Sequence, residues 1–231
     1  NRKPEEAFAH PPLSALPENW KEKLSGELLV AINLAVVSAP SEEIDPHLNA
    51  LFDPQRLIGA QVAGGAAAAW TDFTLHEDGL SRILIANQSL KPGRMGRLVQ
   101  RLLEIETYRM MALLAFPLAR ALAPEISNME QELARIATET ASIKGLADEQ
   151  RQLQELTSLA ARVEQLTART DFRFSAGRAY YDLVVRRIGE LDEQKLPGIQ
   201  QISTFMERRL APAMRTSEVM DRRLDTLSQH I

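Results

Sequence analysis

The sequence predicts an α+β fold, in which a small antiparallel β-sheet with short helices is followed by an elongated helical bundle or coiled-coil-like region. Two patterns predict this fold. Before residue 92, apolar runs of strand length are separated by glycine and proline turn signals. From Pro92 onward, apolar residues recur every three or four positions, which is the spacing of one helix face. We therefore predict two regions, residues 1–91 and residues 92–231.

The beginning of the first region is rich in proline. Residues 1–19 contain Pro4, Pro11, Pro12 and Pro17. Each proline fixes φ and removes a backbone donor, which predicts an extended arm. Further along, Asp45-Pro46 and Asp53-Pro54 each predict the start of a short helix, with aspartate as the N-cap and proline at the first helical position.

Three strand regions are predicted next. Leu28–Val37 is an apolar run and is predicted to be a strand buried on both faces. Gln61–Leu75 is predicted to be a second strand, whose Gly64-Gly65 pair indicates a bulge or close packing. His76–Gly79 is predicted to be a tight turn, so Leu80–Ala86 returns antiparallel to the second strand.

The second region is predicted to consist of long helices. The first begins at Pro92, is kinked by Pro117, and ends or gives way to the next helix at Pro124. Within residues 125–170 the apolar positions change phase near Gly145. This change predicts either two antiparallel helices or one interrupted coiled-coil arm.

The last part of the chain is predicted to contain two more helices. Residues 171–177 are predicted to be a connector, because they include Phe172, Phe174 and Gly177. One helix then runs from about residue 176 to residue 194. After a turn at Pro197-Gly198, a last helix runs to the end of the chain.

Composition excludes several classes of function. The chain has no cysteine, which excludes a disulfide scaffold, a thiolate metal site and a cysteine nucleophile. The formal net charge is -4, so no global positive field attracts nucleic acid, and we expect no nucleic-acid partner. No stretch has the roughly 18–20 consecutive apolar residues of a transmembrane helix, so we expect this segment to be soluble.

Several long motifs carry a resemblance to a known family. The longest is Gly96–Met110 (GRLVQRLLEIETYRM), and four shorter ones are Val62–Gly65, Trp70–Phe73, Phe172–Phe174 and Arg208–Thr216. With these motifs the chain resembles, over nearly all its length from Pro17, a bacterial domain-of-unknown-function family of uncharacterised membrane-anchored proteins.

The resemblance has implications for location but none for chemistry. Members of that family usually continue upstream and end in a pair of hydrophobic helices that anchor them in a membrane. The resemblance therefore implies a place at the cytoplasmic face of the inner membrane, with membrane contact made by segments absent from this chain. The family has no established activity, so no catalytic residue is carried over.

The first candidate site is a basic helix face that could bind an anion. It comprises Lys91, Arg94, Arg97 and Arg101. The three arginines share one helix face near the N-terminus, where backbone N–H groups also favour a phosphate or a lipid headgroup. The alternative, which we favour, is a solvated or salt-bridged face that uses Glu104 and Glu106.

The second candidate is a membrane-proximal or partner-binding face on the last helix. It comprises Arg208, Arg215 and Arg222, which are spaced by sevens. Basic residues near a membrane attract anionic lipid. Glu218, Asp221 and Asp225 lie on the same helix, so ion pairing between helices is the favoured alternative.

A third candidate surrounds the predicted turn. Asp72 lies near His76, Glu77 and Asp78, and a carboxylate beside an imidazole could bind a divalent cation or move protons. The turn alone explains Asp78-Gly79, and His76 has no second histidine at ligand spacing. We therefore predict no metal site.

A fourth candidate lies on the Pro92 helix and comprises Glu104, Glu106, Tyr108 and Arg109. The two glutamates point to different sides of the helix, so they are not a pair suited to acid–base catalysis. We favour buried hydrogen bonds that link this helix to the sheet.

No motif specifies a reaction, so we predict no catalytic residue and no cofactor, and the sequence leaves open whether the protein is an enzyme. The leading hypothesis is a non-enzymatic assembly, sensing or scaffolding module that forms homo-oligomers or binds a protein partner through its long helices. One alternative is the cytosolic domain of a CorA-like ion transport protein, by analogy of layout. Another is an enzyme or binder of phosphorylated or lipid-like ligands at the face of Arg94, Arg97 and Arg101.

Overall fold

The computed structural model describes residues 4–23 and 25–231, and it confirms the α+β class. A single sheet contains five strands in the order β1-β4-β3-β2-β5. The strands are β1 Ile32–Val37, β2 Ile58–Val62, β3 Ala67–Thr71, β4 Ser81–Asn87 and β5 Gln194–Lys195. The β3–β4 pair is antiparallel as predicted, the β2–β3 and β2–β5 pairs are also antiparallel, and β1 is parallel to β4. The sheet is therefore mixed, because the long connection after β1 brings the chain back beside it in the same direction.

The second predicted strand is in fact a hairpin. Gln61–Leu75 contains the end of β2, a turn and all of β3, so Gly64-Gly65 is not a bulge within one strand. The predicted alternative, close packing, is partly right, because a Cβ at Gly64 would lie 3.2 Å from Asp192 Oδ2, just after α5. The turn has positive φ at three consecutive residues, Ala63, Gly64 and Gly65. Glycine adopts that conformation without steric cost, which explains why two glycines stand there.

The first predicted strand is shorter and less buried than expected. β1 begins at Ile32 rather than Leu28, and its buried residues alternate with half-buried or exposed ones. The reason is its place at the edge of the sheet, where it has one neighbouring strand, β4. The predicted turn at His76–Gly79 is confirmed: Gly79 has φ +75°, and the Gly79 N–H donates to the His76 carbonyl at 2.9 Å.

Two short helices follow β1, but the Asp-Pro pairs do not begin them. α1 is Ser41–Ile44 and α2 is Leu48–Leu51. Asp45 instead follows α1 in a single 3-10 turn. Asp53 accepts a hydrogen bond from the Gln55 N–H at 3.0 Å, which forms an Asx turn rather than a helix cap.

The proline-rich arm is not extended. Its first three residues lie outside the described residues, and the remainder includes 3-10 turns at Pro4–Glu6 and Pro12–Ala15. Ala7 and Phe8 are buried and pack into the hydrophobic cluster on the sheet. Burial of these two apolar side chains holds the segment against the core, which the count of prolines does not reveal.

Four long helices make up the remainder: α3 Pro92–Leu113, α4 Ala115–Thr140, α5 Leu146–Gly189 and α6 Ile202–His230. The break between α3 and α4 lies at Leu114, and Pro117 stands in the first turn of α4, where a missing N–H costs little. Pro124 lies inside α4 and does not end it, contrary to prediction. The predicted connector at residues 171–177 is also wrong, because α5 continues through it.

Of the two alternatives that the phase change near Gly145 leaves open, the structure has two antiparallel helices. α4 ends at Thr140 and α5 begins at Leu146. Side chains join them: Arg135 on α4 pairs with Glu155 on α5 at 2.7 Å, and the Gln152 amide donates to the Ile136 carbonyl at 2.9 Å.

The chain forms two compact units. Unit 1 comprises Asn1–Met110 and Asp182–Arg209, and unit 2 comprises Met111–Tyr181 and Leu210–Ile231. Unit 1 contains the sheet, and unit 2 is helical. The proposed division into residues 1–91 and 92–231 stays a prediction.

One stretch of the described chain meets the length and composition of a membrane-spanning helix. It is Pro92–Thr140, in which an 18-residue window has a mean hydropathy of 1.3, and 28% of that window is buried. The core helices of soluble proteins pass the same test, so this finding by itself assigns no membrane span.

Candidate functional site

A cavity of about 330 Å³ opens in unit 1 where β2 begins and β3 ends. The first turns of α6 form another part of its wall. Its polar lining comprises Gln55, Arg56, Asp72, Thr74, Gln200 and Arg209, and its aromatic lining comprises Phe73 and Phe205. The cavity therefore brings residues from distant parts of the sequence together.

Asp72 is the buried polar centre beside this cavity. It follows β3 directly and is only 2% exposed. Its carboxylate accepts the Asp53 N–H and the Thr74 N–H, each at 3.1 Å. His76 stands four residues later in the chain, and its Nε2 lies 3.0 Å from the same carboxylate. Because an ionised carboxylate only accepts hydrogen bonds, His76 Nε2 is the donor in this pair.

Phe73 adopts a strained backbone conformation, with φ +49°. Consecutive side-chain turns create it: Thr71 Oγ1 accepts the Phe73 N–H at 3.2 Å, and Asp72 accepts the Thr74 N–H. A bulky residue in the left-handed region costs on the order of 1–3 kcal/mol, and such strain is concentrated at functional sites. The Phe73 ring stacks on Phe205, with centroids 5.0 Å apart.

Arg109 holds the same aromatic ring from α3. Its guanidinium carbon lies 4.8 Å from the centre of the Phe73 ring. Glu106 is 2% exposed and pairs with Arg109 through two hydrogen bonds of 2.7 and 2.8 Å. The predicted buried hydrogen bonds are therefore present on this helix, between Glu106 and Arg109. The link to the end of β3 is the contact of Arg109 with Phe73, and no glutamate makes it.

The mouth of the cavity is basic. Arg209 is exposed and takes part in no ion pair with any side chain that the structure describes. Arg56 is exposed as well and forms an ion pair with Asp53, in which Arg56 Nε lies 3.6 Å from Asp53 Oδ2. The amides of Gln55 and Gln200 add neutral donors. With the Asp72 carboxylate already hydrogen-bonded, the groups that remain for a ligand are mainly donors.

The predicted basic face on α3 is divided between paired and unpaired side chains. Arg101 pairs with Glu190 at 3.0 Å, and Arg187 bridges Glu190 and Glu104. Hydrogen bonds from Gln100 and then from Arg187 lower the pKa of Glu104. The remaining cations of the face, Lys91, Arg94 and Arg97, are exposed and form no ion pair within the described chain.

The predicted basic face on α6 remains exposed. Arg208, Arg215 and Arg222 have no ion-pair partner in the part of the chain that the structure describes. Pairing between helices involves their neighbours instead: Asp221 pairs with Arg178 at 2.6 Å, and Arg223 pairs with Glu130 at 2.5 Å.

Sequence reasoning found part of the cavity and missed the rest. The sequence predicts that Asp72 and His76 lie near each other at the turn, because they are four residues apart. Phe205 and Arg209 were missed, because nothing local connects α6 to the end of β3. Arg56 also lacks a sequence signal.

The arrangement around Asp72 does not by itself make a metal site. Within the described residues, no group of three or more histidine, aspartate or glutamate side chains is placed to hold a metal ion. Asp72 and His76 supply two such groups, and they bind each other.

Comparison with known proteins identifies a family. The model of a family described as "Protein of unknown function (DUF3422)" matches residues 1–231, so the chain belongs to that family. A search of curated proteins and a search of solved structures each found no match.

Proposed function

We propose that this member of the DUF3422 family is a sensing module that binds a small acidic solute in the cavity of unit 1. The observation that carries the proposal is the combination of Arg56 and Arg209 at the mouth of a cavity whose buried carboxylate, Asp72, is already hydrogen-bonded.

Contacts within unit 1 hold one wall of the cavity in place. Phe73 is fixed between its turn hydrogen bond, the Phe205 ring and the Arg109 guanidinium. Binding sites that are preformed avoid the free-energy cost of ordering side chains on association. The strained φ of Phe73 is consistent with a wall shaped for binding, because such strain persists only where surrounding contacts hold it.

The charges of the lining select an acidic group. Arginine guanidinium groups bind carboxylates and phosphates through two parallel hydrogen bonds. Gln55 and Gln200 can donate to further oxygen atoms. The volume of about 330 Å³ lies at the small end of ligand cavities, so we propose a dicarboxylate or a phosphate monoester rather than a larger molecule.

Binding is favoured over catalysis because of the position of His76. Its ring is held by Asp72, and it is not among the side chains that line the cavity. A general base must reach the proton that it removes.

Sensing is favoured by α6, since Phe205 and Arg209 lie in the first turns of a helix of 29 residues.

The test is titration calorimetry with succinate and with inorganic phosphate, using glycerol as an uncharged probe. We expect one of the two anions to bind, and Arg209→Ala to weaken it about 10-fold, the loss of one charge-assisted hydrogen bond. Arg208→Ala is the matched control, because Arg208 is adjacent and also exposed but does not line this cavity. Absence of saturable anion binding, or equal losses in the two variants, would rule out the proposal.

A second candidate function, attachment beside an anionic membrane, is favoured by Arg215 and Arg222. Both are exposed on α6 and form no ion pair with another described residue. Basic residues near an anionic surface contribute about 1 kcal/mol each. We therefore expect Arg215→Gln with Arg222→Gln to reduce sedimentation with vesicles of phosphatidylcholine and phosphatidylglycerol. The control is a pair of exposed arginines on α5, Arg169→Gln with Arg173→Gln.

Assembly through the long helices also remains a proposal. Leu146 and Leu153 are seven residues apart on α5 and are 69% and 66% exposed. Exposed leucines seven residues apart lie on one side of a helix, where they could pack against a partner helix.

A further inference from the structure

The two edges of the sheet differ in how they are protected. β5 forms one edge and has only two residues, Gln194 and Lys195, both exposed. Short length and a lysine are common protections against unwanted strand pairing. β1 forms the other edge with six residues, and none of them is charged.

The apolar character extends beyond β1 itself. No charged residue occurs between Glu27 and Glu42, and no proline precedes Pro40 in that interval. Val36 is 40% exposed, and Ile32 and Leu34 are half-buried. An edge strand of this kind is predisposed to pair with another strand.

Alternate residues of β1 have backbone groups directed away from the sheet. The Ser81 N–H donates to the Ala31 carbonyl at 2.9 Å, which fixes the odd-numbered residues as those facing β4. The backbone N–H and C=O groups of Ile32, Leu34 and Val36 therefore point away from β4, toward the open edge of the sheet. No hydrogen bond connects them to another element within residues 4–23 and 25–231.

We infer that β1 pairs with β1 of a second copy of this chain, antiparallel and about a two-fold axis at Leu34. In this register Leu34 faces Leu34 of the second copy, and Ile32 faces Val36 of the second copy. Because the two strands are identical and related by a two-fold axis, they have the same length, and their apolar side chains fall on the same face of the joined sheet.

The choice of a second copy follows from charge and symmetry. The paired strands contain no charge, so no like charges face each other in the ladder. The outward residues on each strand complete each other's hydrogen bonds, and their apolar side chains form cross-strand pairs. The two five-stranded sheets then become one continuous sheet. This interface is separate from the ligand cavity and from the predicted helix-mediated assembly.

The test is native mass spectrometry and light scattering across a concentration series of the complete chain. We expect a dimer, and we expect Val36→Lys to raise its dissociation constant at least about 10-fold, because each lysine would place a charge opposite the apolar Ile32 of the second copy. Leu153→Glu is the control that distinguishes assembly through α5, and it should leave the dimer unchanged. Circular dichroism verifies that each variant is folded.

Hydrogen exchange provides a second readout with an internal control. In the dimer the amides of Ile32, Leu34 and Val36 should exchange slowly, and in Val36→Lys they should exchange rapidly. The amides of Asn33 and Ala35 face β4 and should stay protected in both proteins. A monomer throughout the concentration series, a dimer that persists in Val36→Lys, or a dimer lost only in Leu153→Glu would overturn the inference.

Discussion

At the scale of single residues, Asp72 shows how a charged group is accommodated inside unit 1. Removing a carboxylate from water is unfavourable unless hydrogen bonds replace its hydration. Asp72 receives two backbone N–H groups, from Asp53 and Thr74, and the His76 ring. The same carboxylate therefore fixes the loop after α2, the turn after β3 and the orientation of His76.

Removing this carboxylate should be costly. We expect Asp72→Ala to lower the free energy of unfolding by about 3 kcal/mol, because two buried N–H groups lose their acceptor. Asp72→Asn retains an acceptor oxygen and should lose about 1–2 kcal/mol. Urea unfolding followed by circular dichroism measures both, with the exposed Glu77→Gln as a control that should change little. Equal and small effects in all three variants would mean that Asp72 has no structural role.

The sequence could predict only the local half of this constellation. Asp72 stands four residues before His76, the first residue of the predicted turn, so their proximity follows from the chain itself. Phe205 meets Phe73 only because α6 returns to the end of β3. That contact is a property of the tertiary fold, and neither aromatic residue has a neighbour in sequence that predicts it.

At the scale of elements, α5 shows why a glycine can be mistaken for a helix end. The sequence pattern predicts Gly177 to be part of a connector, yet α5 passes through it to Gly189. A Cβ built at Gly177 would lie 2.9 Å from the Ala115 Cβ. The glycine therefore permits close approach of two helices in unit 2 and does not supply a turn. Phe174 is 3% exposed and packs in the same core, so it was no connector residue either.

Two glycine substitutions in helices should have opposite effects on stability. We expect Gly177→Ala to lower the free energy of unfolding by about 1 kcal/mol, because overpacking of about 2 kcal/mol outweighs the gain in helix propensity. Gly96→Ala on α3 meets no atom within 4 Å and should raise it by up to about 1 kcal/mol. Thermal and urea unfolding of the two variants measure both changes. Stabilisation by Gly177→Ala would show that the helices can move apart freely.

At the scale of the whole molecule, the net charge of -4 conceals carboxylates in different environments. Two carboxylates of unit 2, Glu130 and Asp221, have pKa values shifted in opposite directions. Hydrogen bonds from Arg223 lower the pKa of Glu130. Burial raises the pKa of Asp221, although Arg178 beside it acts in the opposite direction. The two carboxylates should therefore respond to acid with opposite signs.

The sign for each group follows from which state binds the proton first. The native pKa of Glu130 lies below its value in the unfolded chain, about 4.3, so its stabilisation is present above that pH and lost as the pH falls through the native pKa. The native pKa of Asp221 lies above its unfolded value, about 3.9, so the native state is protonated first. Protonation of Asp221 thus offsets part of the acid destabilisation.

Substitution of each group should change the pH dependence in opposite directions. In urea unfolding between about pH 6 and pH 3, Glu130→Gln should flatten the fall in stability, because the group that loses stabilisation is gone. Asp221→Asn should steepen the fall, because the compensating protonation is gone. The slope is measured relative to each variant's own stability at neutral pH, where Glu130→Gln loses an ion pair and Asp221→Asn removes a charge whose burial is unfavourable. Parallel slopes in the two variants would show that neither carboxylate controls acid stability, and that protonation elsewhere in the molecule does.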